Sequence, residues 1–217
     1  MDTNGIMERL RTETRDLHDQ AEQNQWQTRM VRGELTRDDY QRWLGQMLLG
    51  HRALEKELRA LPLDQFPYTA IRSEHYQEPY LIADLEHFGV DPDTIEPLAT
   101  TNALISRIEQ LAQERPLALL GFHYVLEGSN NGNRFIAKRL REVYELEPGT
   151  GDRYLDPYGD RQREIWKRFK EDMGGDELSA EDQDLLVASA REMFQAIHDI
   201  SNELEATSES GVTAAAQ

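Results

Sequence analysis

The 217-residue chain contains no cysteine. That removes disulfides, thiolate metal sites and any cysteine nucleophile together. Basic residues are scarce, 24 Lys and Arg against 41 Asp and Glu, leaving a formal net charge of −17. Nucleic acid and anionic membrane surfaces repel such a chain, so neither is expected as a general partner. No apolar run approaches the roughly 20 residues that a membrane-spanning helix needs. The opening MDTNGIMERL shows neither the basic nor the apolar stretch of a secretory signal, so a cytoplasmic location is expected. Alternation at period two is also missing, and with it any expectation of a sheet.

What the chain does carry is helical period almost throughout. Leu10, Leu17 and Ala21 share one face of a predicted N-terminal helix from about Ile6 to Asn24. A second helix begins at Thr36, an N-cap supported by Asp39 three residues on. Its stripe of Tyr40, Leu44, Met47, His51, Leu54 and Leu58 runs for five turns. Residues 61–77 read as a connection, and shorter helices are predicted near 78–88 and 97–113. Pro116 can open a helix that reaches about Leu146. EPGTGDRYLDPYGD is a loop, and helices near 160–173 and 180–205 follow, the latter with Ser179 and Asp182 as its N-cap pair. The expectation is one all-α domain over residues 1–206, with residues 207–217 a disordered tail.

Two lines of residues point beyond packing. Arg11, Arg15, His18 and Glu22 fall at i, i+4, i+7 and i+11, about 100° round from the apolar line. This is either a solvated charged face with weak local pairs or a ligand stripe. In the second reading neutral His18 offers a ring nitrogen to a metal, Glu22 fixes its tautomer, and the arginines pair an anionic ligand. The other line is Gly121, Gly128 and Gly132, the last two embedded in YVLEGSNNGNRF. Two Gly, one Ser and three Asn cost a helix roughly 4 kcal/mol against alanine. Such a bare face suits either a tight helix crossing or a flat ligand, with Ser129, Asn130, Asn131 and carbonyls freed by a kink bonding above it.

The segments LRTETRDLHDQAE, MVRGELTRDDYQRWLGQMLLGHRALEKEL, YVLEGSNNG and RYLDPYGDRQREIWKRFKEDM, in that order over residues 6–205, resemble heme oxygenases, most closely the bacterial branch. The resemblance implies a heme oxygenase-like helical bundle that cleaves heme b, at once cofactor and substrate, to biliverdin, carbon monoxide and iron. It implies O2 and an external reductase or ferredoxin-type electron donor as partners. His18 falls at the family's proximal iron ligand and Glu22 at the acidic residue that orients it. Arg11 and Arg15 match basic residues near the propionates, as do Lys167, Arg168 and Lys170 in looser register. Gly128 and Gly132 match the distal helix. With Ser129, Asn130, Asn131 and Asn133 they form the implied catalytic segment, and Tyr124 lies one turn earlier.

Three positions depart from the family pattern. Ser129 stands where animal members have Asp, Asn133 replaces the second of paired glycines, and Pro157 replaces a loop glycine. A heme carrier without turnover is therefore the alternative on the same fold. A di-iron oxidase is a further one, since His123 and Glu127 repeat the i, i+4 spacing of His18 and Glu22. His51 reads as a hydrogen-bonded core histidine; His75, His87 and His198 show no partner pattern.

Overall fold

The computed structural model describes residues 5–174 and 178–214. Among them there are nine α-helices and no strand. They are α1 (Ile6–Glu13), α2 (Arg15–Gln23), α3 (Gln25–Arg32), α4 (Arg37–Arg59), α5 (Glu78–His87), α6 (Ala99–Glu114), α7 (Leu119–Tyr144), α8 (Gln162–Met173) and α9 (Ala180–Ala214). No helix among the described residues is long and apolar enough to cross a membrane.

The predicted N-terminal helix is interrupted once, at Thr14, and ends at Asn24 as expected. At Thr14 the backbone leaves helical geometry (φ −111°, ψ 1°), and the Thr14 hydroxyl donates to Leu10 O at 2.7 Å. At Asn24 the chain extends, and the side chain accepts the Gln27 N–H to start α3. Asparagine at an N-cap satisfies a donor that the helix cannot. Gly33 ends α3 in the left-handed region (φ 70°), where a glycine is unstrained.

The cap at Thr36 is as expected, its hydroxyl accepting the Asp39 N–H at 3.1 Å. All six members of the α4 stripe are buried. Pro116 opens a short 3-10 turn before α7. Ser179 Oγ accepts the Asp182 N–H at 3.1 Å, and α9 continues to Ala214, past the end that composition suggested. Residues 215–217 of the expected tail lie outside the described residues.

Helix α9 is the spine, with α1, α2, α3, α6 and α7 packed along it, while α4 carries α5 and α6. The loop between α7 and α8 is held from several sides. Buried Asp152 accepts the Gly149 N–H and pairs with Arg141. Asp84 accepts the Arg153 and Tyr154 N–H groups, and the Tyr40 hydroxyl donates to Gly151 O. This pinning sets Tyr158 against α7.

Candidate functional site

Helix α2 buries none of its residues. It packs along α9, with Leu17 and Ala21 half-buried. His18 lies on the flank of that contact, its side chain 56% exposed and its ring edge-on to Phe194 of α9 at 6.0 Å. Nδ1 lies 3.8 Å from both Glu22 Oε1 and Asp19 Oδ1. That is longer than a hydrogen bond, so Glu22 does not hold the ring directly as expected, and Asp19 is an equal neighbour. Among the described residues, His18, Asp19 and Glu22 form the group whose ligand atoms cluster closely enough for a metal ion.

The arginines of the stripe straddle the α1–α2 break. Arg11 pairs with Glu8 at 2.6 Å and Arg15 with Asp19 at 3.9 Å, all on the surface. Solvent screens such exposed pairs, so both guanidinium groups can exchange their partners for another anion. Arg11 also comes within electrostatic reach of Tyr124 on α7: burial raises the phenol pKa, and the Arg11 charge opposes that rise. The α1–α2 segment and α7 therefore border the same side of the molecule.

Helix α7 is unbroken from Leu119 to Tyr144; the expected kink with freed carbonyls is not there. The weak segment mends itself by side-chain bonds. Ser129 Oγ donates to Leu126 O at 2.7 Å, Asn131 Nδ2 to Gly128 O at 2.9 Å, and Asn133 Nδ2 to Ser129 Oγ at 3.2 Å. Asn130 is buried and donates to Glu127 Oε2 at 3.3 Å. These four side chains are thus engaged along the helix rather than offered outward.

The three glycines that share a face have three different neighbours. A Cβ on Gly121 would lie 2.6 Å from Leu186 O and 2.9 Å from Ala190 N, so this glycine serves the crossing with α9. A Cβ on Gly128 would touch the Trp166 ring at 3.3 Å. At Gly132 a Cβ would meet nothing within 4 Å. Trp166 stacks on Phe169 (5.4 Å, 13°) and tilts over Tyr124 (5.8 Å), forming an aromatic wall beside the open stretch.

The basic residues of α8 do not converge there. Arg168 is committed to Glu74, Lys167 sits 3.5 Å from Glu171, and Lys170 is exposed. His51 is the core histidine expected, bonded to Glu55 through Nδ1 (3.2 Å) and to Tyr154 through Nε2 (3.1 Å). His123 turns to His75, Nε2 to Nδ1 at 3.3 Å, and not to Glu127. Glu127 instead accepts from Tyr158 at 2.8 Å. The His123–Glu127 half of a di-iron site is therefore not assembled. This buried polar group joins residues 31 and 48 positions apart and went unseen in the sequence; the only local hint was the His123–Glu127 spacing.

An exposed histidine and two surface-paired arginines on the N-terminal segment border a helix with one open glycine, on an all-α bundle. The residues present suit heme: an imidazole nitrogen donor without a core role, cations for carboxylates, and a glycine where a flat ring can reach backbone.

A family model described as heme oxygenase matches residues 4–203. The chain belongs to the heme oxygenase family. Heme oxygenase 2 of Rattus norvegicus is 22% identical over 92% of this chain, which spans 65% of that protein's length; the Macaca fascicularis protein gives the same figures. Among solved structures, heme oxygenase-1 of Synechocystis in complex with heme superposes with a TM-score of 0.87 at 19% identity, covering 98% of this chain and 97% of that one. The Leptospira interrogans enzyme gives 0.84 at 21% identity, covering 92% and 99%. At these identities the superpositions establish the fold.

Proposed function

We propose that this protein binds heme b between the α1–α2 segment and α7 and degrades it to biliverdin, carbon monoxide and iron, using O2 and an external reductase or ferredoxin-type donor. The observation that carries the reading is His18, an exposed imidazole on a helix that buries no side chain. Its Nδ1 edge is nearest Asp19 and Glu22, so Nε2 is the nitrogen that would hold the iron. Heme, when bound, supplies the oxygen-activating chemistry itself.

The protein's own part is to bind and to shape. Arg11 and Arg15 exchange weak surface partners for the propionates. Gly132 would let the ring approach the backbone, beside the Tyr124 and Trp166 rings. Asn133, folded onto Ser129, does not stand over Gly132, so the lost second glycine leaves the open face intact. Lys167 and Lys170 add positive charge at a distance, and Arg168 is held by Glu74.

Hemin titration of the protein and of His18→Ala tests this. The wild type is expected to show a histidine-ligated Soret band that His18→Ala loses; an unchanged band in the variant would remove His18 as the ligand. Reductant and air should then convert the bound pigment to a biliverdin spectrum. A Soret band that persists without bleaching would instead mark a heme carrier on the same fold.

A further inference from the structure

Between α5, the 3-10 turn Ser73–His75 and the loop joining α7 to α8 lies an outer cavity of about 460 Å³, within the range that small-molecule sites occupy. Two kinds of side chain line it. Tyr80 of α5 and Tyr158 of the loop supply aromatic walls, and Arg141, Arg153 and Arg161 supply guanidinium groups. On a chain with 41 acids and 24 bases, three arginines around one opening run against the overall charge. The backbone beneath them is set before any ligand arrives, because Asp152 holds the Gly149 N–H and Asp84 holds the Arg153 and Tyr154 N–H groups. Preorganisation of this kind removes part of the ordering cost of binding.

The arginines are not equally committed. Arg141 is held by buried Asp152 and by Asp156. Arg161, its side chain 60% exposed, shares Glu74 with Arg168, so one carboxylate serves two cations. Arg153 has no ion pair among the described residues, and its guanidinium stands over the Tyr80 ring, 4.9 Å from the centroid. The lining thus sets three arginines against two carboxylates, Glu74 and Asp156. Glu127 lies behind the Tyr158 wall and accepts its hydroxyl at 2.8 Å. Burial pushes the Glu127 pKa up to about 8, so at neutral pH that carboxyl is protonated and adds no negative charge to the cavity.

We propose that this cavity binds a mononucleotide: its phosphate between Arg153 and Arg161, its base against the Tyr80 and Tyr158 rings, and its sugar hydroxyls donating to Glu74 or Asp156. Each part of the lining selects one part of that ligand. Guanidinium forks match phosphate oxygens two at a time. A phosphomonoester, with three terminal oxygens and a charge of about −2, can use both the unpaired Arg153 and the half-paired Arg161, whereas a lone carboxylate fills a single fork. The tyrosine rings offer flat apolar faces that suit a base and do nothing for inorganic phosphate. Glu74 and Asp156 would repel a bare anion, but a carboxylate is an acceptor, and a sugar between base and phosphate brings the hydroxyl donors it needs. No covalent bond is made or broken. His18, Arg11, Arg15 and the glycine face take no part, so the site stands apart from the proposed heme chemistry.

Calorimetric titration of the full chain with AMP tests this, beside adenosine and inorganic phosphate as the two halves of the ligand. AMP should saturate with a Kd on the order of 10–100 µM, the affinity expected of a ligand of its size, and each half should bind about tenfold more weakly or worse. Arg153→Ala and Arg161→Ala should each weaken AMP about tenfold. Arg153 is exposed and has no ion pair to lose, so its variant keeps the fold and remains a fair test. Tyr80→Leu should weaken AMP and leave inorganic phosphate unchanged. Amide NMR shifts on adding AMP should centre on Gly149, Gly159 and Arg161. Failure to saturate at millimolar AMP overturns the proposal. So does inorganic phosphate that binds as tightly as AMP, which would mark an adventitious anion only. Affinity unchanged in Arg153→Ala, or shifts centred on α1 and α2, would place the ligand elsewhere and overturn the site.

Discussion

Gly121 and Gly132 sit on the same face of the same helix, and alanine at the two positions should move stability in opposite directions. In a helix interior alanine is favoured over glycine by about 1 kcal/mol. At Gly132 nothing lies within 4 Å of the new methyl group, so Gly132→Ala should gain that amount. At Gly121 the methyl would fall 2.0 Å from Ser189 Oγ, 2.6 Å from Leu186 O and 2.9 Å from Ala190 N. The hydroxyl can rotate away, but the two backbone atoms belong to α9 and cannot. The helices must part along a crossing that buries Leu120, Leu186 and Ala190. Overpacking of this kind costs about 3 kcal/mol or more at its severe end, so a net loss of about 2 kcal/mol remains after the propensity gain. For a chain of this size 1 kcal/mol is about 2–4 °C in Tm. Gly121→Ala should therefore lower Tm by about 4–8 °C, and Gly132→Ala raise it by about 2–4 °C. Scanning calorimetry with a urea titration on each variant reads both. A Gly121→Ala protein as stable as the wild type would refute the assigned crossing. A destabilised Gly132→Ala would mean that its face is covered. In hemin titrations Gly132→Ala should bind more weakly despite its greater stability, a split that a purely structural glycine would not give.

Glu55 is buried and ties α4 to the start of α5 by accepting the Gln77 N–H at 2.6 Å, the Glu78 N–H at 3.0 Å and the Arg59 guanidinium at 3.0 Å; burial raises its pKa, yet His51 and the Gln77 and Glu78 N–H groups leave it lowered overall. Glu55→Ala strands all of them and should cost about 3–5 kcal/mol, read as a lower urea midpoint; a loss below 1 kcal/mol would show the network to be dispensable. His75 offers a pH test. Its folded pKa, lowered by burial to about 4 from 6.5, means the folded state refuses a proton that the unfolded chain accepts. The stability it contributes is complete above 6.5 and falls as pH drops toward 4, by something on the order of 3 kcal/mol. His75→Asn should flatten the urea midpoint between pH 6.5 and 4; an equally steep variant would move the acid sensitivity elsewhere.

Much of this structure was legible because the signals are local. The Thr36 and Ser179 caps, the α4 stripe and the Pro-Gly loop after α7 each depend on residues within a few positions. The break at Thr14 was not legible, since a threonine that turns its hydroxyl back to Leu10 O has the same composition as one that continues a helix. The end of α9 was not legible for a related reason: small polar residues after Glu205 do not stop a helix that already runs into them, and α9 continues to Ala214.

The site divides along the same line. Spacing put Arg11, Arg15, His18 and Glu22 on one face, but spacing does not say what stands opposite. The glycines show this most directly, since one periodic line met the α9 backbone, the Trp166 ring and open space in turn. The two His-x-x-x-Glu pairs carry the argument furthest. His18 and Glu22 lie on a helix with no buried residue, so their ring and carboxylate stay 3.8 Å apart and face outward. His123 and Glu127 have the same interval on a helix buried on that side, and each found a distant partner instead, His75 and Tyr158. Identical spacing thus yields an exposed nitrogen donor in one place and a buried neutral acid in the other. Desolvation decides between them: an ionised pair on α7 would have to be stripped of water, whereas a carboxyl that keeps its proton avoids most of that cost.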